Sequence, residues 1–244
     1  MNSRRLLIDA GNTNLKWVVV EAGQWRAHGR CDYMDWSSLG AELSAGTECF
    51  IGSVTKPERE QQLAALLAEA GITPIWLKSE AAFEDLSNAY LNPGQLGVDR
   101  WMGLIAARQR TRDPVLVVSV GTAMTVDALA ADGVFLGGVI VPGVTLMRQA
   151  LLQGTAQVAD AAGEWKVFPR NTADAVQSGI VAALCGAIQQ QHARLAESAG
   201  VMPICLLTGG DAEMVLPYLS VPAEHVALLV LEGIDCIAKG ALSQ

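Results

Sequence analysis

Clusters of positive charge are missing from this 244-residue sequence. Its net charge is −8, and no run of Lys and Arg offers the basic face of a nucleic-acid binder. The acidity is read as an aid to solubility. Charged residues of either sign make up only 17%, against 51% hydrophobic residues, which excludes a disordered chain. That length suits one large domain or two small ones. No apolar run of about 18 residues lacks a charge or a turn signal, so no membrane span is expected. The opening MNSRRLLIDAGNTN has a three-residue apolar run, too short for a secretory leader, and is read as the first strand of a cytoplasmic protein. No two of Cys31, Cys49, Cys185, Cys205 and Cys236 have Cys-x-x-Cys spacing. Their apolar neighbours suggest buried free thiols in a reducing compartment. The P-loop and the G-x-G-x-x-G fingerprint are both absent. His28, His192 and His225 are scattered and form no metal spacing.

What is present is an alternation of apolar strands with glycine-bearing turns. Residues 5–9, 15–20 and 24–31 read as an antiparallel meander, 48–52 and 74–77 as further strands, and 57–70 as a helix opened by Pro57. Residues 80–96 read as an irregular connection, and 97–110 as a helix. A second half starts near Asp113, with strands expected at 115–119, 124–129, 134–141, 203–207 and 226–230. Helices are expected at 144–152, 171–198 (capped by Asn171 or Thr172) and 231–242. Each half runs strand, Gly-Asn-Thr or Gly-Thr turn, strands, then helices. Two related α/β lobes follow, at 1–112 and 113–244, with a cleft between them.

Four constellations carry chemistry. In Asp9-x-Gly11-Asn12-Thr13-x-x-Lys16 a strand delivers a carboxylate to a tight turn. Thr13 and the turn amides suit phosphate oxygens, Lys16 adds positive charge, and Asp9 suits a hydrated Mg²⁺. The plain alternative is an ordinary hairpin turn. Gly121-Thr122-Ala123-x-Thr125-x-Asp127 repeats the pattern, and two facing turns would clamp phosphates from both sides, as phosphoryl transfer requires. Thr208-Gly209-Gly210-Asp211 would let an adenine ring lie against backbone; the alternative is a strand-to-helix turn with Asp211 as cap. In Gly97-Val98-Asp99-Arg100, Asp99 could take a proton from a substrate hydroxyl while Arg100 holds an anionic group. Charge compensation at a helix start explains Asp99 but not Arg100.

Together these segments resemble the type III pantothenate kinases, members of the acetate-and-sugar-kinase, actin and chaperone ATPase superfamily. The resemblance runs through DAGNTNLKW (9–17), YLNPGQLGVDRW (90–101), GTAMTVD (121–127), GVFLGGVIVPG (133–143), Asn171-Thr172 and TGGDA (208–212), in family order along nearly the whole chain. It implies two ribonuclease-H-like (actin-like ATPase) lobes, with mixed sheets flanked by helices and ATP in the cleft. It implies phosphorylation of pantothenate to 4′-phosphopantothenate, the first step of coenzyme A synthesis. By the same resemblance Asp9, Ala10, Gly11, Asn12, Thr13, Asn14, Leu15, Lys16 and Thr122 bind ATP, as do Gly209 and Gly210 at the adenosine end. Asp99 is the general base. Tyr90, Gly97, Val98, Asp99, Arg100 and Thr172 line the pantothenate site. A homodimer and Mg²⁺ with ATP are implied as well.

One position departs from the family. Where it often carries an Asp that binds a monovalent cation, this chain has Ser119. A neutral hydroxyl offers a cation much less, so dependence on K⁺ or NH₄⁺ is open. So is a second carboxylate near Mg²⁺, for which Asp127 is the candidate. Two other readings stay open: a kinase of the same fold for another small hydroxy acid, and a nucleotide-binding regulatory protein without catalysis.

Overall fold

The computed structural model describes residues 4–155, 158 and 161–241. The first three residues, and position 242 at the end of the expected last helix, lie outside them. In chain order the elements are β1 (Arg4–Ala10), β2 (Asn14–Glu21), β3 (Gln24–Asp32), α1 (Ser37–Gly40), β4 (Glu48–Ser53), α2 (Pro57–Glu69), β5 (Pro74–Trp76), β6 (Ala82–Phe83), β7 (Leu86–Asn88) and α3 (Val98–Arg110). There follow β8 (Val115–Val120), β9 (Ala123–Leu129), β10 (Val134–Pro142), α4 (Val144–Gly154), α5 (Thr172–Ala199), β11 (Ile204–Thr208), α6 (Ala212–Val215), β12 (Glu224–His225) and α7 (Leu229–Ala241). Two compact units result. One holds Met1–Phe83, Tyr90–Ala106 and Leu229–Gln244, the other Glu84–Ala89 and Ala107–Leu228. The division thus differs from a single cut after residue 112, because α7 packs on β1 and β4 and so belongs with the first unit.

In the first unit β1, β2 and β3 form the expected antiparallel meander, and β4 and β5 extend it in parallel, giving the order β3-β2-β1-β4-β5. Leu6, Ile8, Val19 and Ile51 pack on one face against Leu63 and Leu67 of α2. Pro57 and the acidic residues Glu58 and Glu60 suit the start of that helix. Strand alternation sends Arg5, Leu7 and Asp9 to the opposite face. There Asp235 of α7 accepts from Trp25 Nε1 at 3.2 Å and pairs with Arg5 at 3.4 Å and Lys239 at 2.8 Å. Gly233 is required on α7, since a Cβ would lie 1.9 Å from the Met102 carbonyl oxygen of α3.

The second unit repeats the plan. β8, β9 and β10 form an antiparallel meander, β11 joins β8 and β12 joins β11 in parallel, and the segment β10-β9-β8-β11-β12 mirrors the first unit's order, while β7 and β6 extend the sheet beyond β10 to seven strands. Leu116, Val118, Val126 and Leu207 pack against Ile180, Leu184 and Ile188 of α5. Asn171 caps α5, accepting from the Asp174 N–H at 2.8 Å, and Gly200 ends it in the left-handed region at φ +70°. The strand expected at 226–230 is a correction. Strand β12 is only Glu224–His225, and α7 begins at Leu229. A short apolar run such as 226–231 carries no period that separates strand from helix.

Candidate functional site

The first turn grows out of the β1–β2 hairpin. Asp9 and Lys16 are paired across it. The Gly11 N–H donates to the Asn14 carbonyl at 3.1 Å, and a Cβ on Gly11 would meet that same oxygen at 3.1 Å. Asn12 and Thr13 are exposed, whereas Ala10 and Leu15 are fully buried and offer a ligand only backbone. The turn is fastened from behind by two residues that the sequence pattern did not single out. Tyr33 donates its hydroxyl to the Gly11 carbonyl at 2.6 Å, and Arg59 donates to the Asn12 carbonyl. Nothing in the local sequence of either residue marks this role, because the contact exists only once β3 and α2 are folded.

The acceptor segment starts α3. Trp101 N–H donates to the Gly97 carbonyl at 3.0 Å, and the Asp99 carboxylate accepts from the Arg100 N–H at 2.8 Å. A Cβ on Gly97 would lie 2.7 Å from that carboxylate oxygen, so glycine leaves Asp99 its place. Arg100 is buried and donates to the Tyr90 hydroxyl at 3.0 Å, while Val98 is buried in the core. Asp9 feels the charge of Asp99, 90 positions away in the chain. The carboxyl of Asp9 is pushed up to about 7, first by burial, then by Asp99, with Lys16 pulling it down. Burial pushes Asp99 above the usual carboxylate range, against the Arg100 N–H and guanidinium. Two desolvated carboxylates sharing a face invite positive charge.

In the second unit three glycine-bearing turns meet. Gly121 N–H donates to the Ala123 carbonyl at 3.1 Å, and Gly143 N–H to the Thr122 carbonyl at 2.9 Å. A Cβ on Gly143 would sit 1.9 Å from the Gly121 oxygen, and one on Gly209 (φ +101°) 2.1 Å from the Val120 oxygen. A Cβ on Gly210 would meet nothing within 4 Å, so that face is open. Asp211 begins α6, but its side chain makes no capping bond. Thr122 is exposed. Ser119 lies between Thr125 and Thr208 in register, and Asp127 is buried further along β9, opposite Val117. Among the described residues no group of three His, Cys, Asp or Glu side chains could cage a metal. Thr172 is exposed at the start of α5, lining an apolar groove of about 520 Å³ with Pro142, Met147, Leu151 and Val176.

A type III pantothenate kinase family model matches residues 5–194. The chain belongs to the type III pantothenate kinase family. A type III pantothenate kinase of Thiobacillus denitrificans is 62% identical over 239 residues, covering 98% of each chain. Among solved structures, a conserved Baf-family protein of Campylobacter jejuni described as a transcriptional activator aligns with TM-score 0.65 at 20% identity, over 98% of this chain and 100% of that one. MreB 5 of Spiroplasma citri aligns with TM-score 0.51 at 8% identity, over 100% and 98%. These structural matches show the fold, mixed sheets flanked by helices, as expected from the sequence.

Proposed function

We propose that this chain transfers the γ-phosphoryl group of ATP to the primary hydroxyl of pantothenate, giving 4′-phosphopantothenate for coenzyme A synthesis. The observation that carries this reading is the 62% identity to the Thiobacillus kinase across nearly all of both chains. Asp99 takes the hydroxyl proton as the new P–O bond forms and the β–γ bridging P–O bond breaks, with ADP leaving. Burial raises its pKa above the usual carboxylate range, which makes it a stronger proton acceptor. Tyr90, Gly97, Val98, Arg100 and Thr172 line the pantothenate site. Asp9 to Lys16 and Thr122 receive the phosphates of ATP, and Gly209 and Gly210 its adenosine. Asp9 would hold the Mg²⁺ carried with ATP through water, and the ion would offset the charge of the phosphates. Asp127, buried on β9, is kept as a second carboxylate and Ser119 as the monovalent-cation position.

The protein works in the cytoplasm in this reading, which its five free cysteines support. It works as a homodimer, which the apolar groove between α4 and α5 and the exposed Leu146 support. The test is a coupled ADP-release assay with pantothenate, run with and without potassium. ADP release that depends on pantothenate is expected, and Asp99→Asn should lower kcat by about 100-fold to 10,000-fold with pantothenate binding kept. ATP binding without ADP release from any pantothenate-like compound would favour the regulatory reading instead.

A further inference from the structure

The carbonyls of the first turn reveal how its amides are aimed. Tyr33 holds the Gly11 oxygen at 2.6 Å, and Arg59 holds the Asn12 oxygen. The Arg59 guanidinium lies over the Tyr33 ring, 4.3 Å from its centroid, and Trp36 meets that ring edge-on at 5.5 Å. The two fastenings therefore form one packed unit from the end of β3 and the first turn of α2. A trans peptide is planar, and its C=O points opposite to the N–H of the next residue. Fixing the Gly11 oxygen thus fixes the Asn12 N–H, and fixing the Asn12 oxygen fixes the Thr13 N–H.

We propose that Tyr33 and Arg59 are positioning residues that hold the Asn12 and Thr13 N–H groups in the phosphate-binding orientation. Tyr33 is only 8% exposed and Arg59 is half-buried, whereas Asn12 and Thr13 are exposed, so the fastenings lie deeper than the turn residues they hold. A glycine followed by an asparagine is soft backbone, able to turn over its peptide planes at little steric cost. Two anchored carbonyls remove that freedom before ligand arrives, which is how a binding loop avoids the entropy of ordering on contact. The proposal rests on the reading of this turn as the ATP phosphate site.

Calorimetric titration with ADP and with adenosine separates the two ideas. Tyr33→Phe keeps the ring beneath Arg59 and deletes one hydroxyl. ADP affinity should fall about fivefold to tenfold, as for one lost hydrogen bond, with adenosine affinity unchanged. The KM for ATP should rise in step while that for pantothenate stays put. In amide NMR of the ligand-free protein, Tyr33→Phe should shift the Asn12 resonance and Arg59→Ala that of Thr13. Unchanged ADP affinity, unmoved amides, or an equal loss for adenosine would each overturn the proposal. Wild-type protein that binds ADP no better than adenosine would remove the phosphate reading of the turn and the proposal with it.

Discussion

At the scale of single residues, the first unit holds two carboxylates, Asp9 and Asp99, whose pKa values burial raises. Asp9 titrates near 7 in the folded protein against an ordinary 3.8, so the folded state binds more protons than the unfolded state between those values. Stability falls as pH rises through that window and stays lowered above it. Asp9→Asn, studied without nucleotide or Mg²⁺, should therefore be more stable than wild type at pH 8. The gain is roughly 1–3 kcal/mol, since one pKa unit is worth about 1.4 kcal/mol and Asp9 keeps some solvent contact. The advantage should vanish near pH 4, and urea unfolding at several pH values measures it; a gap independent of pH would count against the shift. Asp9, Asp99 and Arg100 were each singled out by residue type and spacing in the sequence. Their nearness was not, because no local period links position 9 to position 99. Tyr33 and Arg59 were illegible for the same reason: their roles are contacts to backbone made by tertiary packing.

At the scale of elements, strands that alternate or run apolar between turns were readable, and β1 to β4 and β8 to β11 lie close to where hydrophobic patterning puts them. The short α1 escaped, since four residues hold no helical period. The turn after β11 shows two adjacent glycines with different duties. Gly209 takes a left-handed φ of +101° against the Val120 carbonyl, whereas Gly210 faces open space. Gly209→Ala should lower the melting temperature markedly, by strain and by backbone clash. Gly210→Ala should leave melting within a degree or two and, under the proposed function, weaken adenosine binding. Thermal melts and adenosine titration of the two variants check the pair, and equal melting temperatures would contradict the assignment.

At the scale of the molecule, the order of the five-stranded sheet recurs within the seven-stranded one, and the motif pairing at Gly11-Asn12 and Gly121-Thr122 was its sequence trace. The return of α7 to the first unit was not traceable, because its partners β1 and β4 lie at the far end of the chain. Asp235 anchors that return beside Arg5, both nearly sealed from solvent. Asp235→Ala would leave a buried guanidinium uncompensated and should cost about 3–5 kcal/mol, while replacing both partners with apolar residues should recover much of the loss. Denaturant titration of the single and double variants decides it; a single variant as stable as wild type would show the pair to be incidental. This anchoring has a consequence during synthesis. As the chain emerges from the ribosome, Leu7, Val18 and Phe50 are made early, yet α7, which packs on β1 and β4, is made only after the second unit. The nascent first unit therefore waits through the translation of the whole second unit with an unfinished wall, the interval in which chaperones and proteases have their best access to it.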